Sequence, residues 1–173
     1  MRFLVISDTH GAIRDAAFII EKWHTHIDGV WHLGDHASDL DKLAKHYAQS
    51  YSLAFSSVRG NCDFSCPAPY SRQFTIEDCH VFMCHGHQYR INFSLDYLRE
   101  QAREQKADVV LFGHTHVPLY EKENGLLLLK PGSLTQPRGG SKKSFALLEL
   151  SGGKADATIL DADAFLVSFQ SKF

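Results

Sequence analysis

Apolar and polar positions fall into repeating blocks along this chain. Residues 2–6 form a short apolar run that stops abruptly at Ser7-Asp8-Thr9-His10-Gly11, as a strand buried on both faces does where it meets a loop. Over residues 12–24 the period changes: Ile13, Ala16, Ala17, Ile20 and Trp23 predict an amphipathic helix covering the sheet. Residues 29–33 are a second apolar run, closed by Gly34-Asp35-His36. Ser38 with Asp41 then resembles a capping pair opening a helix through about Gln49. Residues 51–58 are a third strand candidate and run into Arg59-Gly60-Asn61-Cys62-Asp63.

Past the proline-broken stretch 67–70, residues 72–76 and 80–84 read as a hairpin closed around Asp78, its second strand ending at His85-Gly86-His87. Ser94 caps a helix through about Gln105, and strand 108–112 delivers Gly113-His114-Thr115-His116. The remainder is strand-rich, with candidates at 125–129, 144–150, 155–160 and 165–169, and a hairpin turn at Ser151-Gly152-Gly153. There is no repeat, linker or low-complexity segment. The pattern predicts one α/β domain over residues 1–173. A parallel-rich first half and an antiparallel second half suggest two packed β-sheets with helices outside.

At 173 residues and 44% hydrophobic, the chain is long enough to bury its own core. A formal charge of −2, from 18 basic and 20 acidic residues, gives no field that would gather nucleic acid or an anionic membrane. An anionic substrate must be captured locally. The first apolar run is too short for a signal-peptide core and none approaches a membrane span, so a cytosolic protein is expected. Cys62, Cys66, Cys79 and Cys84 contain no C-x-x-C pair and are read as free thiols.

Five strand candidates end in loops holding Asp, His or Asn, and in wound sheets such loops converge beyond the carboxyl edge. The set is Asp8, His10, Asp35, Asn61, His85, His114 and His116. Oxygen and imidazole donors without thiolate suit manganese, iron, zinc or nickel, whereas calcium takes more carboxylates. Seven ligands exceed one ion's needs, so two ions about 3.5–4 Å apart are expected, bridged by a single central aspartate.

In order and strand context, Asp8-Thr9-His10, Gly34-Asp35, Gly60-Asn61-Cys62-Asp63, Cys84-His85-Gly86-His87 and Gly113-His114-Thr115-His116 resemble the signature of the calcineurin-like metallophosphoesterases: D-x-H, G-D, G-N-H-D/E, G-H and G-H-x-H. The short length is most similar to the small bacterial and archaeal phosphodiesterases, a subgroup that also includes the retromer scaffold subunit. The resemblance implies a four-layer αββα sandwich of two mixed sheets. It implies one ion on Asp8, His10 and His116, a second on Asn61, His85 and His114, and Asp35 bridging both, with manganese the expected metal. It also implies that a water or hydroxide shared by the ions attacks a small phosphoester substrate. Asp35, Asn61 and Cys62 are the residues expected nearest the reaction.

Cys62 stands where the family places a histidine near the leaving oxygen. General acid catalysis contributes about 10²–10⁴-fold, so aryl phosphodiesters, whose leaving groups depart without a proton, should be cleaved far better than alkyl ones. Asp63 either orients that position or caps the next turn. His36 and His87 neighbour the ligands but are read as solvent-facing. His32, Cys84, Trp23 and Trp31 are read as packed, and His24, His26, His46 and His80 as surface or packing residues. Residues 138–143 are read as a solvated basic loop, and the apolar end 165–173 as packing on the sheet or joining a second copy. Two rival functions remain: a scaffold with a relict site, and a phosphomonoesterase or nucleotide hydrolase drawing on Arg14, Arg59 or Arg138.

Overall fold

The computed structural model describes residues 1–47 and 50–164. In chain order the elements are β1 (Arg2–Ile6), α1 (Ile13–Trp23), β2 (Gly29–His32), α2 (Ser38–Tyr47), β3 (Ala54–Ser57), β4 (Ser71–Ile76), β5 (Cys79–Cys84), α3 (Asp96–Glu104), β6 (Val109–Leu111), β7 (Leu119–Glu123), β8 (Leu126–Lys130), β9 (Ser144–Ser151) and β10 (Lys154–Asp161). They build two five-stranded sheets, ordered β10-β9-β1-β2-β3 and β4-β5-β6-β8-β7. In the first sheet β1, β2 and β3 are parallel and β9 runs antiparallel to both its neighbours, β1 and β10; in the second β5, β6 and β8 are parallel and β4 and β7 antiparallel edges.

The unbroken apolar runs have a simple cause: each central strand is covered on both faces. Phe3 and Val5 of β1 join Trp31, Val81, Met83, Val109 and Leu127 in the core between the sheets. The alternate residues Leu4 and Ile6 pack with Ile19, Ile20, Leu40 and Leu43 under α1 and α2. On the far side, Leu98 and Ala102 of α3 cover Phe82, Val110 and Leu128. Three cores separate four layers, as the αββα expectation requires. Trp31 stacks on Phe3 with ring centroids 4.0 Å apart, and Cys84 is buried. All four cysteines are free thiols. Among the described residues no helix is long and apolar enough to cross a membrane.

Several expectations need correction or fall outside the described residues. The sheets do not divide by chain halves: β9 returns to pair with β1, Leu148 opposite Phe3, and thereby covers the open edge of the first parallel unit. β7 was not anticipated; its sequence Leu-Tyr-Glu-Lys-Glu is charged because it is an exposed edge, where charge discourages pairing with another chain. Ser38 is the first residue of α2 rather than its cap, and Leu95 rather than Ser94 precedes α3, although Ser94 Oγ still accepts the Asp96 amide at 3.0 Å. The predicted strand 165–169 and the expected helix end at residues 48 and 49 lie outside the described residues.

Candidate metal centre

The loops that follow β1, β2, β3, β5 and β6 meet where the carboxyl ends of the two sets of parallel strands face each other. Backbone amides join them: Asp8 donates to the Gly34 carbonyl at 3.0 Å and Gly113 to the His85 carbonyl at 2.9 Å. The His114 amide donates to Asp8 Oδ2 at 3.2 Å, and the Cys62 amide to Asp35 Oδ1 at 2.9 Å. Asp8, His10, Asp35, His114 and His116 all have φ between +42° and +72°. Asp and His tolerate this left-handed region better than most residues, and such backbone strain concentrates at functional sites. Gly60 and Gly113 are required for close approach, since a Cβ would collide with Asp35 Oδ1 at the first and with Ser7 Oγ at the second.

The side chains form two adjoining groups. In the first, ligand atoms of Asp8, His10, Asp35 and His116 lie within 4.8 Å of one another. His116 Nε2 is 3.2 Å from Asp8 Oδ1 and 3.4 Å from His10 Nε2. In the second, His85 Nε2 is 3.2 Å from Asn61 Oδ1, and the His114 ring packs edge-on against that of His85 with centroids 5.1 Å apart. Asp35 lies between them, Oδ2 4.0 Å from His10 Nε2 and Oδ1 3.5 Å from His85 Nε2. All seven predicted residues are thus brought together.

The donor set fits cations. His116 Nδ1 bonds the Gln136 carbonyl and His85 Nδ1 the Leu33 carbonyl, each at 2.7 Å. A carbonyl only accepts, so both rings donate from Nδ1 and turn a lone pair at Nε2 toward acceptor atoms. Asp8 Oδ1 is buried without a hydrogen-bond donor. Lone pairs facing one another in a buried site call for a positive charge between them. A proton can also supply it: the Asp8 carboxylate beside the ring holds the His116 pKa above its usual value. Burial pushes Asp8 up, but the facing His116 and the neighbouring His85 leave it lowered overall. Burial lowers His10 and His114. Cys62 is pushed up to about 11, by burial and then by its hydrogen bond to Asp35.

A supporting layer was not foreseen in the sequence. Ser7 Oγ donates to Asp8 Oδ2 at 2.6 Å; Ser133 Oγ and Thr135 Oγ1 both donate to the Asp8 carbonyl. Asp39, buried inside α2, accepts from Thr9 Oγ1 and the Gly11 amide, each at 2.9 Å. Asp63 accepts from the Ala37 and Gly60 amides, so it ties the Asp35 loop to the Asn61 loop rather than orienting a side chain. Buried Lys130 reaches Thr115 Oγ1, between the two histidines, at 3.0 Å. Asn92 Nδ2 is 3.0 Å from His114 Nε2. Among these supporting residues only Asp63 has a role readable from the sequence, as orienting position 62 or capping the next turn. His36 is exposed, with its ring edge-on to His10, whereas His87 is half-buried against His85 and His114 rather than facing solvent.

The family model of the calcineurin-like phosphoesterase superfamily domain matches residues 1–153. The chain is 32% identical over 161 residues to the probable metallophosphoesterase YsnB of Bacillus subtilis, covering 93% of this chain and 91% of YsnB. With phosphodiesterase YfcE of Escherichia coli it shares 32% identity over 102 residues, 54% of this chain and 51% of YfcE. The solved structure of a predicted phosphoesterase from Streptococcus pneumoniae aligns with a TM-score of 0.78 at 28% identity, covering 94% of this chain and 90% of that one.

Proposed function

Since the chain belongs to the calcineurin-like phosphoesterase superfamily, we propose that it is a phosphodiesterase with two divalent transition-metal ions, manganese in preference to nickel, iron or zinc. Asp8, His10 and His116 hold one ion, Asn61, His85 and His114 the other, and Asp35 bridges them. The observation that carries this reading is the opposition of acceptors described above, in which Asp8 Oδ1 is buried with no donor and faces the lone pair of His116 at 3.2 Å. The description of YfcE as a phosphodiesterase supports the substrate class.

The ions, when bound, polarise phosphoryl oxygens and make water a stronger nucleophile near neutral pH. The chain's own residues do the rest. The Cys62 amide fixes the rotation of the Asp35 carboxylate by bonding Oδ1. Asn61 offers a neutral oxygen, which limits negative charge opposite an anionic substrate. Gln136 and Leu33 fix two imidazoles by accepting their Nδ1 protons, so neither ring must reorient as the reaction proceeds. The Cys62 thiol, its pKa near 11, is a weaker acid than an imidazolium, so leaving groups that depart as stable anions are favoured.

The test is a panel of phosphodiesters and phosphomonoesters assayed with manganese, nickel, zinc and magnesium. Among simple diesters, aryl ones should be cleaved far faster than alkyl ones, with manganese the best metal. A metal-loaded protein inert across the panel would instead support the scaffold reading, and a preference for monoesters the phosphomonoesterase one.

A further inference from the structure

Beside the second group of ligands lie two buried nitrogens that the metal centre does not use. Arg59 Nε and His87 Nδ1 are both buried with no hydrogen-bond partner. They belong to one cluster. The Arg59 guanidinium carbon lies 3.7 Å from the centroid of the Tyr70 ring, and the same ring is 6.0 Å from that of His87. The Arg59 amide donates to the Pro69 carbonyl at 2.9 Å, which brings the Tyr70 loop alongside. His87 in turn sits 5.4 Å from the His85 ring and 6.2 Å from the His114 ring, centroid to centroid.

Two unpartnered nitrogens in one cluster call for an explanation, because native structures rarely leave buried polar atoms unpaired. Among the described residues Arg59 makes no ion pair, so its charge is not spent on an internal carboxylate. With one face covered by Tyr70, the guanidinium can recognise only through its edge, where Nε and a terminal nitrogen form a fork matched to two oxygens of a phosphate. The geometry points to an anion subsite formed by Arg59 and His87, with Tyr70 orienting the guanidinium, that holds a phosphate group of the substrate next to the second ion. This rests on the phosphoester reading above and narrows it. Within the phosphodiesterase reading, the substrate that uses this subsite is a diester with a second phosphate across one bridging oxygen, a pyrophosphate diester; a monoester held there through its reacting phosphoryl would belong to the phosphomonoesterase reading instead.

Isothermal titration calorimetry with inorganic phosphate, on the manganese-loaded protein, reads the subsite without requiring turnover. Arg59→Met should weaken phosphate binding about ten-fold, the scale of one charged hydrogen-bonding partner. Tyr70→Ala, at a position 44% exposed, should weaken it several-fold and serves if Arg59→Met fails to fold. Kinetics on a monoester and on a pyrophosphate diester, each relative to a simple aryl diester, identify the source. A selectivity ratio that falls for the monoester in Arg59→Met assigns the subsite to the reacting phosphoryl; one that falls for the pyrophosphate diester assigns it to a second phosphate. Phosphate affinity within two-fold of the parent in the folded variants overturns the subsite, as does a parent with no measurable phosphate binding. A parent that binds phosphate through Arg59 yet cleaves no ester keeps the subsite and loses the phosphodiesterase reading.

Discussion

Asp8 Oδ1 and His116 Nε2 face each other at 3.2 Å, while the far side of the His116 ring donates to the Gln136 carbonyl. A proton or a metal ion can mediate that contact, and the two compete for the same lone pair. Metal loading should therefore fall as pH drops and His116, whose pKa Asp8 raises, takes up its proton. His116→Ala should remove the competition together with one ligand. Losing a ligand from such a set costs at least the 10–100-fold in affinity typical of disturbing an outer-shell partner. Metal content after dialysis against dilute chelator checks this, and a variant that retains metal as tightly as the parent would refute it.

Under the proposed function, the weakly acidic Cys62 thiol makes a kinetic prediction. In a series of aryl phosphodiesters the rate should rise steeply as the leaving-group pKa falls. Cys62→His should flatten that dependence and raise the rate on alkyl diesters, by at most about the 10²–10⁴-fold that general acid catalysis supplies. A flat dependence in the parent enzyme would contradict this account of the leaving group.

Asp39 is a buried carboxylate whose Oδ2 accepts from Thr9 Oγ1 and the Gly11 amide. It pins the loop carrying Asp8 and His10 to the start of α2. Asp39→Ala leaves the buried Thr9 hydroxyl and the partly buried Gly11 amide without their acceptor and should destabilise the fold by about 2–3 kcal/mol. For a chain of this size that lowers Tm by roughly 4–12 °C. Thermal unfolding checks it, and an unchanged Tm would show that the loop holds itself.

His32 links stability to pH. The Gly34 amide donates to its Nδ1, so the ring proton sits on Nε2, facing Thr9 Oγ1 at 2.9 Å. A second proton would have to displace the Gly34 amide inside the core, and burial pushes the pKa down to about 4 from 6.5. The unfolded chain takes up this proton near pH 6.5 while the folded chain resists it, so stability present at neutral pH is lost as pH falls toward 4, by about 2–3 kcal/mol from this group. His32→Gln should make the decline of unfolding free energy over that window shallower. Equal slopes for parent and variant would assign the acid sensitivity elsewhere.

Much of the fold was legible because buried parallel strands write themselves as apolar runs ending in polar loops, and β1, β2, β5 and β6 all do so. The candidate ligands were legible for the same reason, each sitting at a strand end. Which sheet a strand joins was not: the pairing of β1 with β9 joins residues as far apart in the chain as Phe3 and Leu148, and leaves no local mark. β7 hid its strand character behind three charged residues, although Asn124-Gly125 after it is a strong hairpin signal. The supporting layer was illegible because it consists of hydroxyls and backbone carbonyls, such as Ser133 on the Asp8 carbonyl, whose residue types carry no pattern of their own.

The claim that two ions bridged by Asp35 carry out phosphodiester hydrolysis is tested most directly by titrating manganese into metal-stripped protein while following an aryl diester. The rate should be absent without metal and reach its plateau only at two equivalents per chain. A plateau at one equivalent, or undiminished turnover in the presence of chelator, would contradict it.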